Sequence, residues 1–118
     1  MNLDPFAEVV FTQHALERMA YLLDLGPEDH AAVRGELRSA IFADRIATRT
    51  PNWVHSRVKD APERAGFLYL WDPDATRCWV VAPYKRGRQI NVVTVRLGHD
   101  ERAAHDDSKL VRRGMTRT

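Results

Sequence analysis

The apolar period of this chain changes once, at Pro51, and that change limits the folds open to it. Before Pro51 apolar side chains recur at helical spacing; after it they alternate, as strands require. A short β-branched run, AEVVFT, comes first and reads as a strand ending near Phe11. Thr12 is placed to cap a helix running to about Leu23, with Leu16, Met19, Ala20 and Leu23 as its core-facing stripe. LGP then interrupts the pattern: Gly26 ends the first helix and Pro27 suits the first turn of the next, with Glu28 and Asp29 favouring its dipole. The second helix runs to about Ala43 and buries Val33, Leu37, Ala40 and Ile41, and Phe42 falls outside that stripe.

After Pro51 the segments NWVHSRV, FLYLWD, RCWVVAPY and RQINVVTVRL read as strands. DPDAT and YKRG are turn signals of the kind that join antiparallel neighbours, so the last three strands form a meander. The expected class is α+β: an N-terminal strand, two helices, then an antiparallel three- to four-stranded sheet, packed as a two-layer sandwich. With 118 residues there is material for one core, so residues 1–98 form a single domain and 99–118 a polar tail.

Charge is placed more tellingly than its net of +2 suggests. Acids gather in DLGPEDH and ELRSAIFAD, bases in YKRGRQ and KLVRRGMTRT, a layout that permits a phosphate-bearing partner. No apolar run has the length of a membrane span and the start has no secretory character, so the expected address is the cytoplasm, with no membrane partner. Cys78 is the sole cysteine and lies in an apolar run, which suits a small core residue. His99, Asp100, His105 and Asp106 match no tight ligand spacing, and no metal is expected. Nor is there a phosphate loop, a dinucleotide fingerprint or a nucleophile elbow, so no cofactor is expected.

The helical wheel sets His14, Arg18 and Tyr21 on the side of the first helix away from its stripe. With Thr12 as cap, His14 lies among backbone N–H groups that lack partners inside the helix, where anions bind and a neutral imidazole is favoured. Arg18, one turn on, can pair with the same anion; the same two residues also fit an ordinary solvated helix back. If the pair works as a site, His14 opens towards a cleft shared with a basic strand residue.

Strand alternation supplies a second group. Val54, Val58, Leu68, Leu70, Val93, Val95 and Leu97 are assigned to the helix side. The opposite side then carries Trp53, His55 and Arg57, Phe67, Tyr69 and Trp71, and Ile90, Val92, Thr94 and Arg96. Rings among arginines and a histidine suit single-stranded RNA, and equally a second hydrophobic surface covered by the tail or another subunit. Cleaving RNA without a metal takes a base, an acid and a cation, roles open to histidine, tyrosine and arginine. Lys85, Arg86 and Arg88 cluster in one turn, suited to a nucleic-acid backbone.

VVFTQHALERMAYLLDL resembles the opening of small bacterial and phage domains that begin with a strand, Thr, His-Ala and then Arg-Met. Those domains are similar to the RelE-type toxin fold and its ribonuclease superfamily, and INVVTVRLG resembles the Val-rich closing strand of that group. The resemblance spans residues 8–98; His14 and Arg18 match its opening motif, whereas DLGPED and VKDAPERAG depart from the commoner pattern. It implies an RNA-cleaving or ribosome-directed toxin with an antitoxin partner, or a relative that only binds. On the first view His14 or His55 is the base and Tyr69 the acid, Arg57 and Arg96 steady the phosphate, and Trp71, Thr94, Lys85, Arg86 and Arg88 hold the RNA. On the second, the aromatic sheet face docks a protein partner or a second copy of the chain.

Overall fold

The structure, a computed structural model, describes residues 3–54 and 66–98. Its elements are β1 Glu8–Phe11, α1 Gln13–Leu23, α2 His30–Phe42, β2 Ile46–Ala47, β3 Leu68–Trp71, β4 Arg77–Tyr84 and β5 Gln89–Leu97. The chain is α+β, with both helices on one face of a five-stranded sheet of order β1-β5-β4-β3-β2. β2 to β5 pair antiparallel, and for β3–β4 and β4–β5 the short connections dictate it. β1 is the exception: it lies parallel to β5, Glu8 beside Gln89 and Phe11 beside Val92, which makes the sheet mixed. The helices carry the chain from that edge to the other, and no local signal sets the direction of a pairing so distant in sequence.

Helix ends follow local chemistry. The Thr12 hydroxyl accepts the Ala15 N–H at 3.1 Å and starts α1 where expected. α1 closes on Asp24, in the left-handed region at φ 55°, and the Leu25 N–H reaches the Met19 carbonyl. Gly26 therefore does not end α1; its N–H donates to the Asp29 carboxylate and it opens the short turn Pro27–Asp29 before α2. α2 ends with Asp44 left-handed at φ 59°, the Arg45 N–H on the Ala40 carbonyl and the Asp44 N–H on that of Ile41.

Ala15, Met19 and Leu22 are the buried side chains of α1; Leu16 and Leu23 are partly buried, and Ala20 is exposed. The stripe is thus turned from the expected one, because apolar residues occupy both 15/22 and 16/23 and only packing on β5 chooses between them. α2 buries Val33, Leu37 and Ala40.

One strand assignment is corrected. Asn52, Trp53 and Val54 lie in a turn and bend rather than a strand, and the rest of NWVHSRV, including His55, Arg57 and Val58, lies outside the described residues. The sheet is completed instead by Ile46 and Ala47 opposite Leu70 and Tyr69, a strand too short to leave an alternating signature. The polar tail 99–118 also lies outside the described residues.

A β-bulge decides the faces of β5. Val81 pairs with Val92 but Val80 with Thr94, leaving Val93 as the extra residue. The insertion reverses parity, so Ile90 and Val92 join Val95 and Leu97 in the helix-side core and do not lie on the aromatic face. Val93, expected on the helix side, belongs to neither core cluster.

Candidate functional site

The site with polar chemistry open to solvent is at α1. Thr12 ends β1 with its N–H on the Val92 carbonyl, and its hydroxyl donates to the Val93 carbonyl at 3.1 Å. Because β1 stops there, the outer edge of β5 beyond Val93 is left to α1. Arg18 lies along that edge, its guanidinium donating to the Val95 carbonyl at 3.4 Å. Outward from this contact, His14, Glu17, Arg18 and Tyr21 line a shallow, open concavity of about 310 Å³. His14 and Tyr21 are exposed and Arg18 is half-buried. The spacing 14, 17, 18 and 21 puts all four on one helix face, which is why one helix can present a histidine, a carboxylate, a guanidinium and a phenol together.

The expected cleft shared by His14 and a basic strand residue is not what forms. Among the described residues the walls come from α1 alone, and a strand contributes its backbone carbonyl rather than a cation. Tyr21 and Glu17 complete the group; their signal in the sequence was the same wheel that set His14 and Arg18 outward.

The other proposed residues lie elsewhere. Tyr69, Val80 and Thr94 form one cross-strand row, and Trp71, Cys78 and Arg96 the next. The far face therefore does bring Tyr69, Trp71, Thr94 and Arg96 together, as alternation implied. Burial sets what they can do: Tyr69 is 4 % and Thr94 8 % exposed. Tyr69, Cys78, Val80 and Val54 make a second hydrophobic cluster with Trp53 and Phe67 against it, and the Trp53 and Trp71 rings meet edge to face at 6.5 Å. The phenol of Tyr69 thus sits within a packed layer, with Trp71 and Arg96 half-buried at its margin. Burial also pushes the Cys78 thiol up to about 12, with Asp72 adding to the rise and Arg96 opposing it.

Lys85, Arg86 and Arg88 are exposed in the turn between β4 and β5, where Lys85, Arg86 and Gly87 all take positive φ, 52°, 58° and 84°. That turn stands at the start of β5, beside Glu8, whereas α1 begins beside Val92 and Val93. It therefore does not join the α1 concavity.

Two polar groups, Glu36 half-buried and Asp72 buried, brace the scaffold. Glu36 on α2 accepts from Arg77 Nε at 2.9 Å, from the terminal Arg77 nitrogen and from the Trp79 indole, tying α2 to β4. Asp72 accepts the Thr76 and Arg77 N–H groups at 2.8 and 3.0 Å and the Thr76 hydroxyl, closing the β3–β4 turn. Burial alone would raise its pKa, but those hydrogen bonds and the Arg77 charge outweigh it and hold the carboxyl below its ordinary range.

The chain matches no protein-family model, no curated protein and no solved structure. Among the described residues no helix is long and apolar enough to cross a membrane.

Proposed function

We propose that this chain is an RNA-directed, RelE-like toxin protein of the cytoplasm that cleaves RNA without a metal at the α1 concavity. The observation that carries the reading is the placement of His14, Arg18 and Tyr21 together on one wall, with His14 and Tyr21 exposed. His14 takes the proton of a ribose 2′-hydroxyl, and the oxygen so activated bonds to the adjacent phosphorus. The bond from phosphorus to the 5′-oxygen breaks, and Tyr21 supplies the proton that the leaving oxygen accepts; a cyclic phosphate and a free hydroxyl end result. Arg18, steadied along the β5 edge, offsets charge on the phosphorane. Tyr21 takes the acid role first assigned to Tyr69, because Tyr69 is buried.

The test is RNA incubated with purified protein in chelator, beside the variants His14→Ala, Arg18→Ala and Tyr21→Phe. Fragments ending in cyclic phosphate are expected, with each variant slower by roughly a hundredfold. No cleavage by the parent, or equal cleavage by all four proteins, overturns the reading.

A second reading is favoured by β1, which stands at the end of the strand order with Val10 37 % exposed. Among the described residues no strand pairs with the outer side of β1, and such an edge accepts an added strand from an antitoxin-like peptide or a second copy. Mass in solution separates a dimer from a monomer.

A further inference from the structure

Phe42, which falls outside the α2 stripe, finds its partner in Phe6. The two rings meet edge to face at 6.0 Å, yet Phe6 is 67 % and Phe42 65 % exposed. The Arg38 guanidinium lies 4.7 Å from the centre of the Phe6 ring and its Nε donates to the Pro5 carbonyl at 3.2 Å. One helical turn earlier Arg34 repeats the arrangement, 5.7 Å from the centre of Phe11, whose other ring neighbour is His30 at 4.7 Å. Rings and guanidinium groups thus alternate along the seam between α2 and the N-terminal segment, with Arg34 and Arg38 both exposed.

Here two phenylalanines stand largely in water, held in place by each other and by a cation, which is costly unless something covers them. The basic turn extends this strip: the Asp4 N–H donates to the Gly87 carbonyl at 3.1 Å and the Glu8 N–H to that of Arg88 at 3.0 Å, which brings Lys85, Arg86 and Arg88 alongside the Phe6 segment. Of the acids at this end, Asp4 turns its carboxylate to the Phe6 N–H at 2.8 Å, and Glu8 is exposed on β1.

We propose that the strip of Phe6, Phe42, Arg38 and Arg34, continued by the basic turn, is a docking track for single-stranded RNA. Bases stack on the two exposed rings, and phosphates meet Arg34, Arg38 and the turn. The five cations Arg34, Arg38, Lys85, Arg86 and Arg88 outnumber the acids Asp4, Glu8 and Asp44, of which Asp4 is already engaged, and this gives the charge complementarity a polyanion needs. The track rests on the RNA-directed reading for its choice of polymer but uses none of the residues of the α1 concavity.

The experiment measures anisotropy of a labelled RNA of roughly a dozen nucleotides, a length within the usual single-strand site size. It is done in chelator and low salt, on the parent and on Phe6→Ala, Phe42→Ala, Phe6→Tyr, Arg38→Gln and Arg49→Gln, with far-UV circular dichroism of each. The two ring deletions weaken binding roughly 5- to 100-fold, and Phe6→Tyr, which keeps a stacking face, binds as the parent does. Arg38→Gln lowers the salt slope by about 0.7, whereas Arg49→Gln, exposed beyond β2 at the opposite sheet edge, retains parental affinity. The proposal is overturned if the folded ring deletions bind like the parent, if Arg49→Gln weakens binding as much as Arg38→Gln, or if polyglutamate binds as well as the RNA. Cleavage measured on the same proteins is a separate readout, so binding without cleavage removes the nuclease reading alone, and cleavage by folded ring deletions that still bind like the parent removes the track alone.

Discussion

The Thr12 hydroxyl donates to the Val93 carbonyl and at the same time accepts the Ala15 N–H, both at 3.1 Å. One side chain thus caps α1 and clamps the bulged residue of β5. The bulge sets which face Ile90 and Val92 occupy, and the cap sets where His14 stands, so core and candidate site share this residue. Thr12→Val removes both bonds while keeping the shape, and should cost about 1–2 kcal/mol in chemical denaturation. Thr12→Ser should retain most of that stability.

Glu36 serves two donors from β4, Arg77 and Trp79, and its side chain is 14 % exposed. Glu36→Ala leaves a guanidinium and an indole N–H without their acceptor inside the helix–sheet interface. A loss of about 1–3 kcal/mol is expected, because solvent at the Arg77 guanidinium screens part of the pair, with a change in tryptophan emission as the Trp79 indole loses its bond.

Asp72 links stability to acid. Its carboxyl titrates lower in the folded chain than in the unfolded one, so its contribution is present in full above the unfolded pKa and is lost as pH falls through the folded pKa. Denaturation midpoints of the parent should therefore fall on acidification below the ordinary carboxylate range. Asp72→Asn should be weaker by about 1–2 kcal/mol at neutral pH, and the gap to the parent should narrow in acid.

Cys78 is fully buried and its thiol is pushed up to about 12, so little thiolate exists at neutral pH. An aromatic disulfide reagent should leave the native thiol unmodified and react at once in denaturant. Rapid reaction of the folded protein would contradict the packing of the second cluster.

Much of this architecture is legible where a few neighbouring residues decide it. Thr12 marks the start of α1, Pro27 the short turn that leads into α2, Asp72 through Thr76 mark a turn, and the alternation of residues 67–71 and 77–81 sorts their faces. His14, Arg18 and Tyr21 share a side by helical geometry alone. What is not legible depends on partners distant in the chain. Val93 lies in the β-branched run Val92–Val95, so no pattern announces the bulge that reverses Ile90 and Val92. Ile46 and Ala47 are too few to show a period.

The sequence by itself therefore determined the class, the cap that starts α1 and the outward side of α1, because these follow from local hydrogen bonding and periodicity. Only the tertiary structure decided that β1 runs parallel to β5, that Tyr69 and Thr94 are buried, and that Phe6 and Phe42 meet in solvent. Those outcomes rest on packing between segments tens of residues apart, where many arrangements satisfy the same local pattern and the burial of the whole core selects one.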